Sequence, residues 1–127
     1  MKILKLFLLL SILFNLKPAL SQWTAYYTST QLFECRFINQ NTGWAGGDHL
    51  NVFSTTNGGN NWTLIYSPGG NNVIYSLCFA DSVHGWAGTY TGEIFRTTNG
   101  GFNWINLNPG MTGSIYSIYF SSPPLFY

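Results

Sequence analysis

The sequence predicts an all-β protein built from four-stranded antiparallel units. Residues 37–62 and 79–104 are near copies that lie 42 positions apart, with 13 of 26 positions identical. Short segments inside each copy alternate apolar and other residues with a period of two, as half-buried strands do. Turns rich in glycine and asparagine separate these segments, and no segment after residue 21 has helical periodicity.

Each copy accommodates four short strands. The predicted strands of the first unit are 33–38, 43–47, 51–55 and 61–66, and those of the second are 74–80, 85–89, 93–97 and 103–107. The glycines of the repeated GWAG segment, in the second strand of each unit, permit close approach of neighbouring backbones. Residues 48–50 and 90–92 are predicted to turn between the second and third strands.

The segment TTNGG stands between the third and fourth predicted strands of both units, and a tryptophan follows it. The residues of these turns are Thr55, Asn57, Gly58, Gly59 and Trp62 in the first unit and Thr97, Asn99, Gly100, Gly101 and Trp104 in the second. Asparagine and glycine tolerate positive φ, and an asparagine side chain can bond nearby backbone N–H groups. The tryptophan offers an apolar face that locks the hairpin onto its own sheet. We therefore interpret both turns as folding elements rather than ligand sites.

The length of the repeat predicts the architecture. A period of about 40 to 45 residues with several short strands is typical of β-propellers rather than solenoids. The units cover residues 33–73 and 74–114, and a third begins at 115, where 115–120 resembles 74–79. Residues 22–127 are thus predicted to form a partial β-propeller domain with about two complete blades.

Propellers close with about four to eight blades, so the ring is predicted to be incomplete. Three explanations stay open at this point. The chain is a piece of a longer or prematurely ended gene product, a short protein that completes a ring by oligomerisation, or an open two-blade sandwich. The isolated mature chain is predicted to be marginally stable, with exposed sheet edges that are prone to self-association.

Residues 1–21 have the layout of a secretory signal peptide. Lys2 and Lys5 precede an apolar run of about 11 residues, and Ala19 and Ser21 stand at the small positions before a cut ahead of Gln22. The run is shorter than the roughly 20 residues that span a bilayer. We therefore expect cleavage, no membrane insertion of the mature chain, and a secreted, periplasmic or cell-envelope location.

The charge of residues 22–127 excludes two classes of partner. Two arginines, Arg36 and Arg96, stand against four carboxylates, Glu34, Asp48, Asp81 and Glu93, which gives a net charge of −2. Such a segment has no basic surface for a nucleic-acid backbone or an anionic membrane. The same four carboxylates lie in four different repeat contexts, whereas a glycosidase needs two across one bond.

Cysteine, histidine and aromatic residues have structural interpretations. Cys35 and Cys78 fall in opposite strand parities, so we predict two unpaired thiols with Cys35 facing a core. His49 and His84 lie in turns without ligand spacing, which predicts solvated side chains and no metal or cofactor site. The aromatics that recur with the repeat are predicted to pack in the core: Phe33, Phe37, Trp44, Phe53, Trp62 and their copies.

The turns resemble the Asp-box, or BNR repeat, with asparagine in the place of the aspartate. Together with GWAG, residues 33–120 are similar to the photosystem II assembly and stability factor family of β-propellers. The resemblance implies an exported, non-enzymatic scaffold that binds an unidentified protein partner. Asp-boxes also occur in sialidases, so the alternative is a carbohydrate-binding or glycosidase-related propeller fragment that binds a glycan. The two arginines occupy different repeat positions, which argues against the arginine cluster of a sialidase.

Overall fold

The computed structural model describes residues 30–120, which form two four-stranded antiparallel sheets. The first sheet contains β1 (Leu32–Phe37), β2 (Gly43–Gly47), β3 (Val52–Thr55) and β4 (Thr63–Tyr66). The second contains β5 (Ile74–Phe79), β6 (Gly85–Thr89), β7 (Ile94–Thr97) and β8 (Ile105–Asn106). Neighbours in sequence are neighbours in each sheet, so the predicted all-β fold of propeller-type blades is confirmed. The predicted signal peptide, residues 1–21, lies outside the described residues.

The strands agree with the predicted segments but several are shorter. β2 and β6 have the predicted bounds, whereas β4 and β8 each begin two residues later. The N–H groups of Asn61 and Asn103 donate to the side chains of Asn57 and Asn99, and not to a strand ladder. These two residues therefore belong to the turns.

The hydrophobic core lies between the two sheets. Side chains alternate between the faces of a strand, so Trp44 and Val52 point from one face of the first sheet towards the second. They pack against Leu77, Phe79 and Ala87. Val52 and Leu77 are fully buried. Burying an aliphatic side chain of this size stabilises the fold by about 1.5–3 kcal/mol.

Glycine in the GWAG segment allows the sheets to approach closely. A Cβ atom on Gly46 would lie 2.9 Å from Cγ2 of Ile74, which is closer than carbon atoms normally come. β5 consequently packs on both β1 and β2. The connection from β4 to β5 is fixed by backbone bonds from Leu50 N–H to Asn72 O and from Tyr90 N–H to Val73 O.

Residues 115–120, the predicted first strand of a third unit, form no strand within the described part of the chain. Ile115 is nevertheless buried, and its N–H donates to the carbonyl of Thr89. Phe120 contacts Trp86 edge to face, with ring centroids 4.8 Å apart. The segment thus packs on the outer face of the second sheet through its two ends.

The prediction that all repeated aromatics are core residues is wrong for Phe33 and Phe37, which are 48% and 45% exposed. Cys35, also predicted to face a core, is exposed as well. Cys35 and Phe37 lie on the face of the first sheet that points away from the second sheet, and no described element covers that face. Phe33, at the bulge of β1, contacts Tyr75 of β5 edge to face, with ring centroids 5.2 Å apart. Leu77 and Phe79, the copies of Cys35 and Phe37, are buried because the first sheet covers that face.

Candidate functional site

The turn between β3 and β4 is closed by side-chain hydrogen bonds. Thr55 Oγ1 accepts from the N–H groups of Asn57 and Gly59, at 3.3 and 3.0 Å, and donates to Asn57 Oδ1 at 3.0 Å. Asn57 Oδ1 also accepts from the N–H of Asn61 at 2.9 Å. One threonine and one asparagine therefore hold three backbone N–H groups of a seven-residue loop.

The turn between β7 and β8 has the same bonds at the same positions. Thr97 Oγ1 accepts from Asn99 and Gly101 at 3.3 and 3.0 Å and donates to Asn99 Oδ1 at 3.0 Å. Positive φ falls on both glycines of each turn, 71° and 87° at Gly58 and Gly59 and 75° and 94° at Gly100 and Gly101, and not on the asparagines. The asparagines act through their side chains.

The tryptophan after each turn contacts the equivalent phenylalanine in both sheets. Trp62 meets the ring of Phe37 edge to face, with centroids 5.9 Å apart and planes at 79°. Trp104 meets Phe79 in the same way, at 6.0 Å and 82°. Each indole therefore fastens its turn to the first strand of its own sheet.

The open face of the first sheet contains a groove of about 280 Å³. We define the first-sheet groove by its lining residues, Leu32, Phe33, Glu34, Cys35, Ala45, Phe53 and Trp62. Phe37 follows Cys35 on the same face and contacts Trp62 at one end. The groove is apolar apart from Glu34, whose carboxylate lies 3.3 Å from Arg36 Nε.

The equivalent surface of the second sheet is filled. The second-sheet groove contains Ala87, Phe95 and Trp104, the copies of Ala45, Phe53 and Trp62. Its free volume is only about 10 Å³, because Leu50, Val52 and Tyr66 of the first sheet enter it. The same surface is thus present twice, once covered and once open among the described residues.

The polar cluster around Glu93 is locally satisfied, whereas Nε of Arg96 is buried without a hydrogen-bond partner among the described residues. Glu93 accepts hydrogen bonds from Asn72, Thr91 and Asn106 and ties the second sheet to the preceding connection. Within residues 30–120 no three potential metal ligands gather. Arg96 lies over the ring of Trp86, 5.7 Å from its centroid.

His84 differs from its prediction as a solvated turn histidine. Its side chain is 23% exposed and its Nδ1 lies 2.8 Å from Asp81 Oδ2. Asp81 Oδ1 accepts from the N–H groups of Val83 and His84. Partial burial alone would raise the pKa of Asp81, but these hydrogen bonds and the charge of His84 outweigh it and lower the pKa. His49 is exposed, as predicted.

Both cysteines are unpaired thiols. Burial is the main cause that raises the pKa of Cys35, and the nearby Glu34 adds to it. The pKa of Cys78 is also raised by burial, against the opposing charge of Arg36. Neither thiol is therefore activated as a nucleophile at neutral pH.

These features of residues 30–120 support binding and positioning. The sequence indicated the two turns and their tryptophans, and it did not indicate the open groove. The one signal for the groove in the sequence is the 42-residue repeat. It pairs Leu32, Phe33 and Cys35 with residues of β5 that pack against the first sheet, but it does not show what lies next to Leu32, Phe33 and Cys35 themselves. Within the described part, no helix is long and apolar enough to cross a bilayer.

Comparison with solved structures shows the fold. One matching structure is described as "YCF48 bound to D1 peptide"; its TM-score is 0.62 at 23% identity, over 74% of this chain and 32% of that chain. Another, YCF48 from Cyanidioschyzon merolae, gives 0.58 at 22% identity over 71% and 31%. The chain thus spans about a third of the length of these proteins. No protein-family profile and no curated protein matches it.

Proposed function

We propose that this protein is an exported, non-enzymatic β-propeller repeat protein that acts as a scaffold for protein interaction. The observation that carries the proposal is the open first-sheet groove, an apolar surface on a rigid sheet that matches a surface already used for packing inside the chain. Exposed apolar surface of this kind is typical of interaction sites. A solved structure of the same fold is described as bound to a peptide, which supports a polypeptide partner.

We also propose that residues 1–21 are removed on export and that residues 22–127 form one partial propeller domain. The two TTNGG turns then serve as Asp-box-like structural elements, in which an asparagine amide replaces the carboxylate. Their support is the shared set of hydrogen bonds from Thr55 and Asn57 and from Thr97 and Asn99. N-terminal sequencing of the exported protein, with Gln22 expected first, tests the cleavage.

Site-directed photo-crosslinking tests the interaction role. A benzophenone amino acid replaces Phe33 in the groove or, as a control, the exposed Phe102 in the turn of the second sheet. We expect one defined protein adduct at position 33 in the producing cells and none at position 102. Equal labelling at both positions, or no adduct, would contradict the proposal.

A glycan array and fluorogenic glycosides, applied to the same purified protein, test the carbohydrate alternative. We expect neither retention nor turnover, since three of the described carboxylates are held in separate local networks: Glu34 with Arg36, Asp81 with His84, and Glu93 with three polar side chains. Reproducible turnover that survives repurification would replace the scaffold role by the glycosidase alternative.

A further inference from the structure

In the second sheet, the surface equivalent to the open groove is covered by the first sheet, and Trp44 binds at one end of it. The ring of Trp44, from the first sheet, stacks on Phe79 with centroids 3.7 Å apart and planes at 5°. Its indole N–H donates to the carbonyl of Gly100 at 2.8 Å. Trp44 is only 3% exposed in this position. A flat ring and one carbonyl of the TTNGG turn thus form a socket for a tryptophan.

The first sheet contains the same socket. Phe37 is the copy of Phe79, and Gly58 is the copy of Gly100. Trp62 supports Phe37 edge to face as Trp104 supports Phe79. Phe37 is 45% exposed where Phe79 is 8% exposed, and Gly58 is exposed where Gly100 is buried. The parts of the socket are therefore in place, and no described residue stacks on it as Trp44 stacks on Phe79.

We propose that the first-sheet groove binds a β-sheet face of a partner protein that presents a tryptophan, flanked by aliphatic side chains. The indole stacks on Phe37 and donates its N–H to the carbonyl of Gly58, and the aliphatic groups fill the volume above Ala45 and Phe53. This inference rests on the proposed interaction role and specifies its site and the chemistry of the partner. The groove lining is apolar apart from Glu34, which is paired with Arg36, and it therefore matches a partner face with few charges.

A second copy of this chain fits the groove less well than such a partner. Its outward face carries Trp86 as the copy of Trp44, but Phe120 already contacts that ring. The copies of the filling residues Leu50 and Tyr66 are Gly92 and Asn108, which leave much of the groove empty. The space next to Gly92 is occupied by the carbonyls of Met111 and Gly113. A partner face with a free tryptophan and aliphatic side chains therefore fits the groove better than a second copy does.

The socket is tested by titrating the ¹⁵N-labelled full chain with N-acetyl-tryptophanamide and following backbone amide and indole signals by NMR. We expect saturable shifts at Gly58, Gly59 and the indole of Trp62. The analogue methylated at the indole nitrogen should bind about threefold to tenfold more weakly, because one neutral hydrogen bond is lost. N-acetyl-leucinamide, which cannot stack, should leave these signals unchanged.

Two variants locate the binding. Phe37→Leu keeps an apolar side chain against Trp62 but removes the flat ring. This variant should lose most of its affinity for N-acetyl-tryptophanamide. Phe102→Leu removes an aromatic ring that is 60% exposed outside the groove and should bind like the native chain. The amide spectrum of each variant also shows directly whether it is folded.

Each other outcome contradicts the socket. Shifts that cluster elsewhere, equal binding by the methylated analogue, or unchanged binding by Phe37→Leu would overturn the assignment. A dimer that Phe37→Leu abolishes, seen by light scattering without tryptophanamide binding, would assign the groove to a second copy. A protein adduct at position 33 without tryptophanamide binding would support the scaffold role and refute the tryptophan specificity. If neither the adduct nor tryptophanamide binding is observed, the scaffold role and the tryptophan specificity are both refuted.

Discussion

Trp44 is predicted to make the most stabilising contact between the two sheets. An aromatic side chain buries about 150–250 Å², which at about 25 cal/mol per Å² corresponds to roughly 4–6 kcal/mol. Alanine retains a small part of this, so Trp44→Ala should lower the free energy of unfolding by about 4 kcal/mol, within the usual range for a buried aromatic. Trp44→Phe keeps a stacking ring but leaves the Gly100 carbonyl without its donor, and it should cost about 2 kcal/mol.

Urea unfolding followed by far-UV circular dichroism measures both variants, because tryptophan fluorescence would lose a reporter. With a slope of about 2 kcal/mol per molar urea, Trp44→Ala should shift the midpoint by roughly 2 M. Trp86→Ala is the matched control at the repeat-equivalent, partly buried position, and it should shift the midpoint about half as far. Equal shifts for the two alanine variants, or a loss below about 1 kcal/mol for Trp44→Ala, would refute the reasoning.

Three further outcomes are expected in urea unfolding. Gly85→Ala should lower the free energy of unfolding by about 1–3 kcal/mol, and Gly43→Ala by clearly less. The new Cβ atom would lie 2.6 Å from Phe79 in the first variant and 2.7 Å from Phe37 in the second. Phe79 cannot move away because it is packed between Trp44 and Trp104, whereas Phe37 has open space beside it. Thr97→Val should lower the free energy of unfolding by about 1–3 kcal/mol, because the N–H groups of Asn99 and Gly101 lose their acceptor. Asn99→Asp keeps an oxygen acceptor in the side chain and should lower that free energy by under about 1 kcal/mol. Asp81→Asn should lower the free energy of unfolding by less than about 1 kcal/mol at pH 5.5. Because folding lowers the pKa of Asp81, the carboxylate contributes its full stabilisation above its ordinary pKa of 3.8. The difference in stability between the variant and the native chain should therefore shrink as the pH falls below that value. A difference that grows on acidification would contradict the last expectation.

The strands were predictable because their signals are local. Alternation within 74–79 and the repeated GWAG and TTNGG segments determine where strands and turns fall, and the 42-residue shift places them in two equal sheets. The bounds of β4 were less predictable, since the Asn57 side chain competes with the strand ladder for the Asn61 N–H. A hydrogen bond of this kind depends on the closed turn, which an alternation pattern does not describe.

The open groove was not predictable, because exposure depends on what lies next to a sheet. Phe37 and Phe79 have the same role in their own sheets, including the edge-to-face tryptophan, yet one is half exposed and the other buried. Only the packing of the first sheet on the second separates them. In the same way, the contact between His84 and Asp81 follows from the conformation of the turn that joins β5 to β6.

The connection from β4 to β5 passes through Gly69 and Gly70, both exposed and both at positive φ. It is the covalent link that holds Trp44 beside Phe79 at a high effective concentration. Cleaving the chain there would make that contact bimolecular. The two resulting fragments, each carrying one complete four-stranded sheet, would then rejoin only above a threshold concentration, so this loop is a natural position at which to split the protein into complementing halves.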